Sequence, residues 1–404
     1  MPAIPVVLVL MPQPISFPSA PESEQVAETR SESRSVSRTS FYRPELDMLR
    51  FFAFLAVFRF HFTEAIDRYV ESGGRHWVGL VNSLTRAGVF GVDLFFVLSA
   101  YLITELLLRE KEQFGYLDVR AFYWRRILRI WPLYFFAIGL ALFPPLNRQH
   151  GFTWRYAAAF LLLAGNWSVV AWGWPLRTIA IPLWTVSIEE QFYLLWPPIV
   201  RVLSGFRVLL AAMAMLVVSS AVRVLMVATH RGVFSVWCNS LTRLDPIAAG
   251  ILIATVLQGG VPRFRLVVRL GMLLAGVAPL VLVANVWRIQ GPNSLQWFPT
   301  LVGFPLVAAG CALILLAVLG TSVRPPGVLV YLGKISYGLY VYHTLGSFLA
   351  EKLDFVRSGL PHLIAREALA FSITIVLAAA SYKFLESPFL RLKKRFELVR
   401  SRPV

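Results

Sequence analysis

The chain has 404 residues, 57% of them hydrophobic and only 15% charged, with a mean hydropathy of +0.64. So apolar a composition leaves a soluble domain with too little polar surface to cover itself, and an all-α, polytopic integral membrane helix bundle is expected instead. The formal charge of +17, from 39 Lys and Arg against 22 Asp and Glu, does not call for nucleic acid, because the basic residues stand in short blocks beside apolar runs, as membrane-flanking residues do.

The first 41 residues are of a different kind. Residues 6–11 are too short for a signal-peptide core and lack a basic start, and residues 19–40 are rich in Ser, Glu and Arg with almost nothing to bury. They are read as a disordered cytoplasmic tail. Beyond it about eleven apolar segments follow, at 47–69, 88–108, 127–146, 155–172, 184–200, 206–229, 241–258, 266–287, 298–319, 333–350 and 363–386. This gives a transmembrane unit over 42–388 and a basic cytoplasmic C-terminal tail over 389–404. No further soluble domain and no fixed-period repeat is expected. The two cysteines, Cys238 and Cys311, are too few for a disulfide framework or a four-ligand metal site and are read as packing residues.

Orientation follows from Lys and Arg. Arg30, Arg34, Arg38 and Arg43 place the N-terminus in the cytoplasm, and Arg391, Lys393, Lys394, Arg395, Arg400 and Arg402 ask the same of the C-terminus. An even number of crossings is therefore required. About ten are expected, with either 155–172 or 184–200 re-entrant; Asn166, Trp167 and Trp172 make the former suited to an interfacial or re-entrant piece.

The first segment, LDMLRFFAFLAVFRFHFTEAIDRY, carries Arg59 and His61 near its middle. An ionisable side chain costs about 2.5–3.5 kcal/mol at the centre of a membrane helix on insertion scales, so each is a functional candidate. Arg50 and His61 are eleven positions apart, close to three full turns, which puts them on one face roughly 16 Å apart. That is a phosphate-binding cation at the cytoplasmic end and a titratable base deeper in. Asp93, entering on the second segment from the other side, is expected at a similar depth, where a carboxylate could fix the tautomer of His61 for general-base work on a hydroxyl. The plainer readings are a packing role for His61 and an Asp93–Arg59 ion pair.

The stretches RPELDMLRFFAFLAVFRFHF, GVFGVDLFFVLSAYLITELLLRE, FYWRRILRIWPLYF, PLWTVSIEEQFYLLWP, LTRLDPIAAGILIA, KISYGLYVYHT and YKFLESP run in order from Arg43 to Pro388. Together they resemble the signature blocks of the membrane acyltransferase family 3. The resemblance matches the family's Arg-x10-His element to Arg50 and His61, its membrane-embedded acidic residue to Glu189, and its Arg-x-x-Arg element to Arg126 and Arg129. It implies transfer of an acyl group, usually acetyl, from acyl-CoA to a hydroxyl of a glycan or lipid-linked saccharide, such as a cell-surface polysaccharide. The location it implies is the bacterial cytoplasmic (inner) membrane, as a multi-pass protein. Arg59 stands where the pattern has an apolar residue and Ala100 where Gly is commoner. No SGNH hydrolase-like domain is expected after the last helix, as in the stand-alone type.

The remaining polar residues are read beside that resemblance. Arg125, Arg126 and Arg129 recur at helical spacing at a cytoplasmic mouth, where guanidinium forks suit the phosphates of coenzyme A, or anchor the helix by charge; Arg125 is the one more suited to lipid headgroups. Of Glu189 and Glu190 one is expected to face a polar cavity. Arg243 and Asp245 are read as a helix-end pair, His343 as an interfacial histidine in an aromatic belt, and Glu386 as structural. The expected mechanism is direct transfer: acyl-CoA phosphates on Arg50, Arg126 and Arg129, with His61, held by Asp93 or Glu189, taking the acceptor proton; an acyl-histidine relay is the variant. No metal and no permanently bound cofactor is expected. The alternative from another class is a proton-coupled transporter or flippase.

Overall fold

A computed structural model of the protein describes residues 42–71, 76–143, 146, 151–175, 178–289, 291, 295–353 and 359–397. The segment read as a disordered tail lies outside the described residues. Among those described there is no strand. Six helical stretches are long and apolar enough to cross a membrane: Trp77–Phe114, Gly205–Ala228, Ser240–Leu257, Leu266–Trp287, Trp297–Val318 and Leu360–Phe396. The described residues are thus all-helical, and the chain is a multi-pass membrane protein.

Helix α1, Pro44–Phe60, opens with proline and carries Glu45 and Asp47 in its first turn, all suited to a helix N-terminus. It stops short of the expected 47–69 segment. The Thr63 hydroxyl donates to the Phe60 carbonyl at 2.7 Å, and the polar run that follows forms a separate helix α2, Thr63–Glu71. That run cannot remain in hydrocarbon, and instead packs on α3, His76–Arg86, where Asp67 accepts from Asn82 at 2.7 Å and pairs with Arg86 at 2.6 Å.

Helix α4, Gly91–Phe114, is the central post. It packs against α1, α8 (Leu183–Val202), α10 (Leu244–Leu257) and α12 (Trp297–Val318). The approach of α10 depends on a missing side chain, since a Cβ on Gly250 would strike the Val97 carbonyl of α4. In the same way Gly333, on α13 (Gly327–Lys334), lies against the Asp47 backbone of α1. Helix α5, Val119–Leu142, is capped by Asp118, whose carboxylate accepts from the Ala121 amide at 2.9 Å.

The 155–172 segment is broken into α6, Trp154–Leu161, and α7, Gly165–Trp172, with Leu163 left-handed at φ 58° between them. Each piece is about 12 Å long at 1.5 Å per residue, far short of a bilayer. Gln191 of α8 donates to the Leu163 carbonyl and to Asn166, both at 2.9 Å, which satisfies the broken turn. The 184–200 segment, by contrast, is one unbroken helix. Helices α9, Gly205–Ala228, and α11, Leu266–Leu282, sit at the periphery, with Val217 and Leu274 about 70% exposed, as lipid-facing positions are. Helices α14, Ser336–Lys352, and α15, Leu360–Ser381, pack along each other, and α16, Ser387–Lys393, lies on α5. The start of the stretch read as a basic tail is therefore helical and packed: Trp124 stacks on Phe396, and Lys393 pairs with Glu397 at 3.2 Å.

Candidate active site

Four of the predicted residues converge. Arg50 from α1, Arg126 and Arg129 from α5, and Glu189 from α8 line one cavity of about 690 Å3. Phe95, Phe96 and Ser99 of α4 and Tyr337 and Tyr340 of α14 supply the opposite walls. A second cavity, of about 570 Å3, shares Arg50, Ser99, Arg126, Arg129 and Tyr193 with the first and extends along Tyr42, Arg43 and Asp47. The two form a cationic, aromatic-walled space at the N-terminal ends of α1 and α5.

Helical spacing explains how the acid is held. Glu189 and Tyr193 lie four apart on one face of α8, and the Tyr193 hydroxyl donates to Glu189 Oε2 at 3.1 Å. Ser99 donates to Oε1 at 2.9 Å, and its oxygen lies 3.0 Å from the Tyr193 hydroxyl, whose single hydrogen the two acceptors share. Glu190 points the other way, accepting from the Trp131 indole at 2.9 Å. The Arg126 guanidinium lies over the rings of Phe122 at 5.3 Å and Tyr193 at 5.5 Å, and its Nε is buried without a hydrogen-bond partner. Arg50 Nη1 stands 3.7 Å from Asp47, whose other oxygen accepts from Tyr42 at 3.0 Å.

Residues 43–383 match the family described as acyltransferase domain. The chain belongs to this acyltransferase family. Among curated proteins it is similar to the O-acetyltransferase OatA of Staphylococcus aureus strains NCTC 8325 / PS 47 and COL, with 28% identity over 376 residues, 86% of this chain and 57% of each relative. The chain thus spans little more than half the length of these relatives. No solved structure matches it.

The other predicted residues of this family member lie elsewhere. His61 follows the last residue of α1, its amide still bonded to Phe58 at 3.2 Å, so the shared stripe with Arg50 holds along the backbone. The residue is exposed and does not line the arginine cavity. Between them stand two rings: Tyr340, which lines the cavity, and His343, 5.6 Å from Tyr340 and 4.9 Å from His61 between centroids.

The expected approach of Asp93 to His61 is not made. Asp93 pairs with Arg243 at 2.8 Å, on the face of α4 turned toward α10, with both side chains buried. Neither does Arg59 pair with Asp93; its guanidinium binds Glu367 of α15. The Arg243–Asp245 helix-end pair is replaced by two longer-range ones. Arg243 ends a tight turn before α10 and reaches α4, whereas Asp245, in the first turn of α10, faces Arg223 of α9. Arg125 faces inward rather than toward headgroups, pairing with Glu110 at 2.6 Å and donating to the Phe396 carbonyl at 2.8 Å. His343 is not interfacial but 1% exposed.

Sequence reasoning missed Ser99, Tyr193 and Tyr340. Tyr193 was within reach, since an aromatic hydroxyl four residues after an intramembrane Glu shares its face. Ser99 offered no signal beyond a small polar residue in an apolar run. Among the described residues no group of three or more His, Cys, Asp or Glu is placed to hold a metal ion.

Proposed function

We propose that the protein is an integral-membrane O-acetyltransferase that moves an acetyl group from acetyl-CoA to a hydroxyl of a carbohydrate acceptor, such as a lipid-linked saccharide of a cell-surface polysaccharide. One observation carries the reading: Arg50, Arg126, Arg129 and Glu189 come from three separate helices to one cavity with aromatic walls. Three guanidinium groups around an enclosed space suit the phosphates of an anionic donor, and aromatic walls suit its apolar arm and adenine. Membership of the acyltransferase family and similarity to O-acetyltransferases support the same reaction.

In this mechanism the donor phosphates rest on Arg50, Arg126 and Arg129, and the pantetheine arm extends beyond the Tyr340 end of the cavity to carry the thioester to the open side of His61. The acceptor arrives on the open side of His61. His61 takes the hydroxyl proton as the oxygen attacks the thioester carbonyl; the C–S bond breaks, and the proton passes to the departing thiolate, giving free CoA and an ester. Glu189, fixed by Ser99 and Tyr193, balances the arginines at the reacting end. Asp93 acts at a distance, by fixing Arg243 and so the packing of α4 on α10.

The reading includes ten crossings: the six long apolar helices together with the more polar α1, α5, α8 and α14. The broken α6–α7 hairpin is the re-entrant piece, both termini are cytoplasmic, and the membrane is the bacterial inner membrane. Residues 42–388 form the acyltransferase unit and 389–404 the basic tail.

Inside-out membrane vesicles given radiolabelled acetyl-CoA test it. Label should enter a glycan with the wild type and be lost with His61→Ala and with Arg126→Ala at unchanged membrane abundance. Undiminished labelling with both variants overturns the proposal. Loss of substrate flux with labelling intact would favour a carrier.

A further inference from the structure

We propose that His343 is the positioning partner of His61, forming an imidazole pair in which the inner ring fixes the tautomer of the outer one. The inference rests on the acyl-transfer reading and adds a residue to it. His343 sits on α14, and its Nδ1 meets the carbonyl of Tyr340 one turn earlier in the same helix. A carbonyl only accepts, so Nδ1 carries the hydrogen. Nε2 of the neutral ring is then a bare acceptor. It is buried and has no hydrogen-bond partner.

Three rings surround His343, and only one can supply a donor. Phe54, 6.4 Å away, has none. The Tyr340 hydroxyl is already engaged with the Thr185 hydroxyl at 2.8 Å. That leaves His61, whose ring centroid lies 4.9 Å off at a tilt of 39°. A rotation of the His61 ring about its own side-chain torsion, which is soft at an imidazole, brings one of its N–H groups to His343 Nε2.

This arrangement assigns the two nitrogens of His61. The inward one keeps its hydrogen and donates to His343. The outward one carries the lone pair and faces the open side, where the acceptor hydroxyl is placed. When the outward nitrogen takes the hydroxyl proton, His61 becomes a cation and its bond to His343 strengthens as a charge-assisted one. His343 itself gains no proton and touches no substrate.

The competing role is packing, with His343 filling space between Phe54 and Tyr340. Two variants separate the roles, because Gln supplies an acceptor near the Nε2 position and Phe supplies only a ring. In the full-length protein in detergent micelles at one fixed pH, diethyl pyrocarbonate labels His61 at its unprotonated nitrogen, and mass spectrometry of that peptide gives the rate. Labelling in His343→Phe is expected to slow by about three- to tenfold, the fold-change that matches loss of one neutral hydrogen bond. His343→Gln should stay within about twofold of wild type, since it keeps the acceptor. Equal rates in all three proteins, or a slow Gln variant beside a fast Phe variant, overturn the proposal. The rate is read without any acyl transfer, so its failure is distinct from that of the enzyme reading, which falls if His61→Ala still labels glycan.

Discussion

Asp93 and Arg243 meet at 2.8 Å, 150 positions apart in the chain, and neither side chain exposes more than 2% of its surface. Arg243 is also enclosed by aromatic faces, with Trp237 at 4.6 Å and Phe304 at 5.3 Å from its guanidinium carbon. Removing one partner leaves the other charge buried and alone, at a cost of about 3–5 kcal/mol. Asp93→Asn should therefore lower the thermal midpoint in detergent sharply. A double change of Asp93→Asn with Arg243→Met should recover most of the loss. A single variant as stable as the wild type would refute the account.

Glu189 accepts one hydrogen bond on each oxygen, from Ser99 and from Tyr193. Gln keeps the shape but can accept on only one side and carries no charge. Glu189→Gln is expected to cut acetyl transfer by at least about 100-fold, within the range of a lost acid–base or charge-stabilising group. Ser99→Ala removes one bond to a charged acceptor, about 1.5–3 kcal/mol, and should cost about tenfold or more. Both should leave membrane abundance unchanged, as measured by immunoblot beside initial rates.

Arg126 presents a flat guanidinium between two aromatic faces. Lys keeps the charge but not the plane or the forked donors. Arg126→Lys should raise KM for acetyl-CoA about tenfold, equivalent to about 1.4 kcal/mol, with a smaller effect on kcat. A fall in kcat at constant KM would place Arg126 with the reacting atoms instead of the donor phosphates.

Gly250 allows α10 to lie directly on the α4 backbone. Gly250→Val would push the helices apart by forcing a side chain against a carbonyl, at a cost of about 1–3 kcal/mol or more. The expected result is a lower yield of folded protein and a lower melting temperature, read by size-exclusion chromatography and a thermal scan. Gly139, whose added Cβ would meet nothing within 4 Å, is the control position.

Much of the helical plan was legible because a membrane span is written in the length of an apolar run. The family resemblance singled out Arg50, Arg126, Arg129 and Glu189, and the fold brings these four to one cavity. What escaped was the choice of partner. Asp93 could have met His61, Arg59 or Arg243, and only helix packing decides among residues that are far apart in sequence. The inward turn of Arg125 depends on Glu110 and on the Phe396 carbonyl, two contacts that no local spacing encodes. The end of α1 at Phe60 was hidden for another reason: the polar residues of Thr63–Glu71 alternate with apolar ones closely enough to pass as one long span.

The broken hairpin of α6 and α7 is fastened to the protein through Gln191, two positions from Glu189 on the same rigid helix. Its outer side presents Trp154 and Leu162, each more than 70% exposed, an apolar surface of the kind that suits lipid. Squeezing or stretching the bilayer therefore presses on a lever whose short arm ends beside the carboxylate, and turnover should track acyl-chain length in reconstituted vesicles.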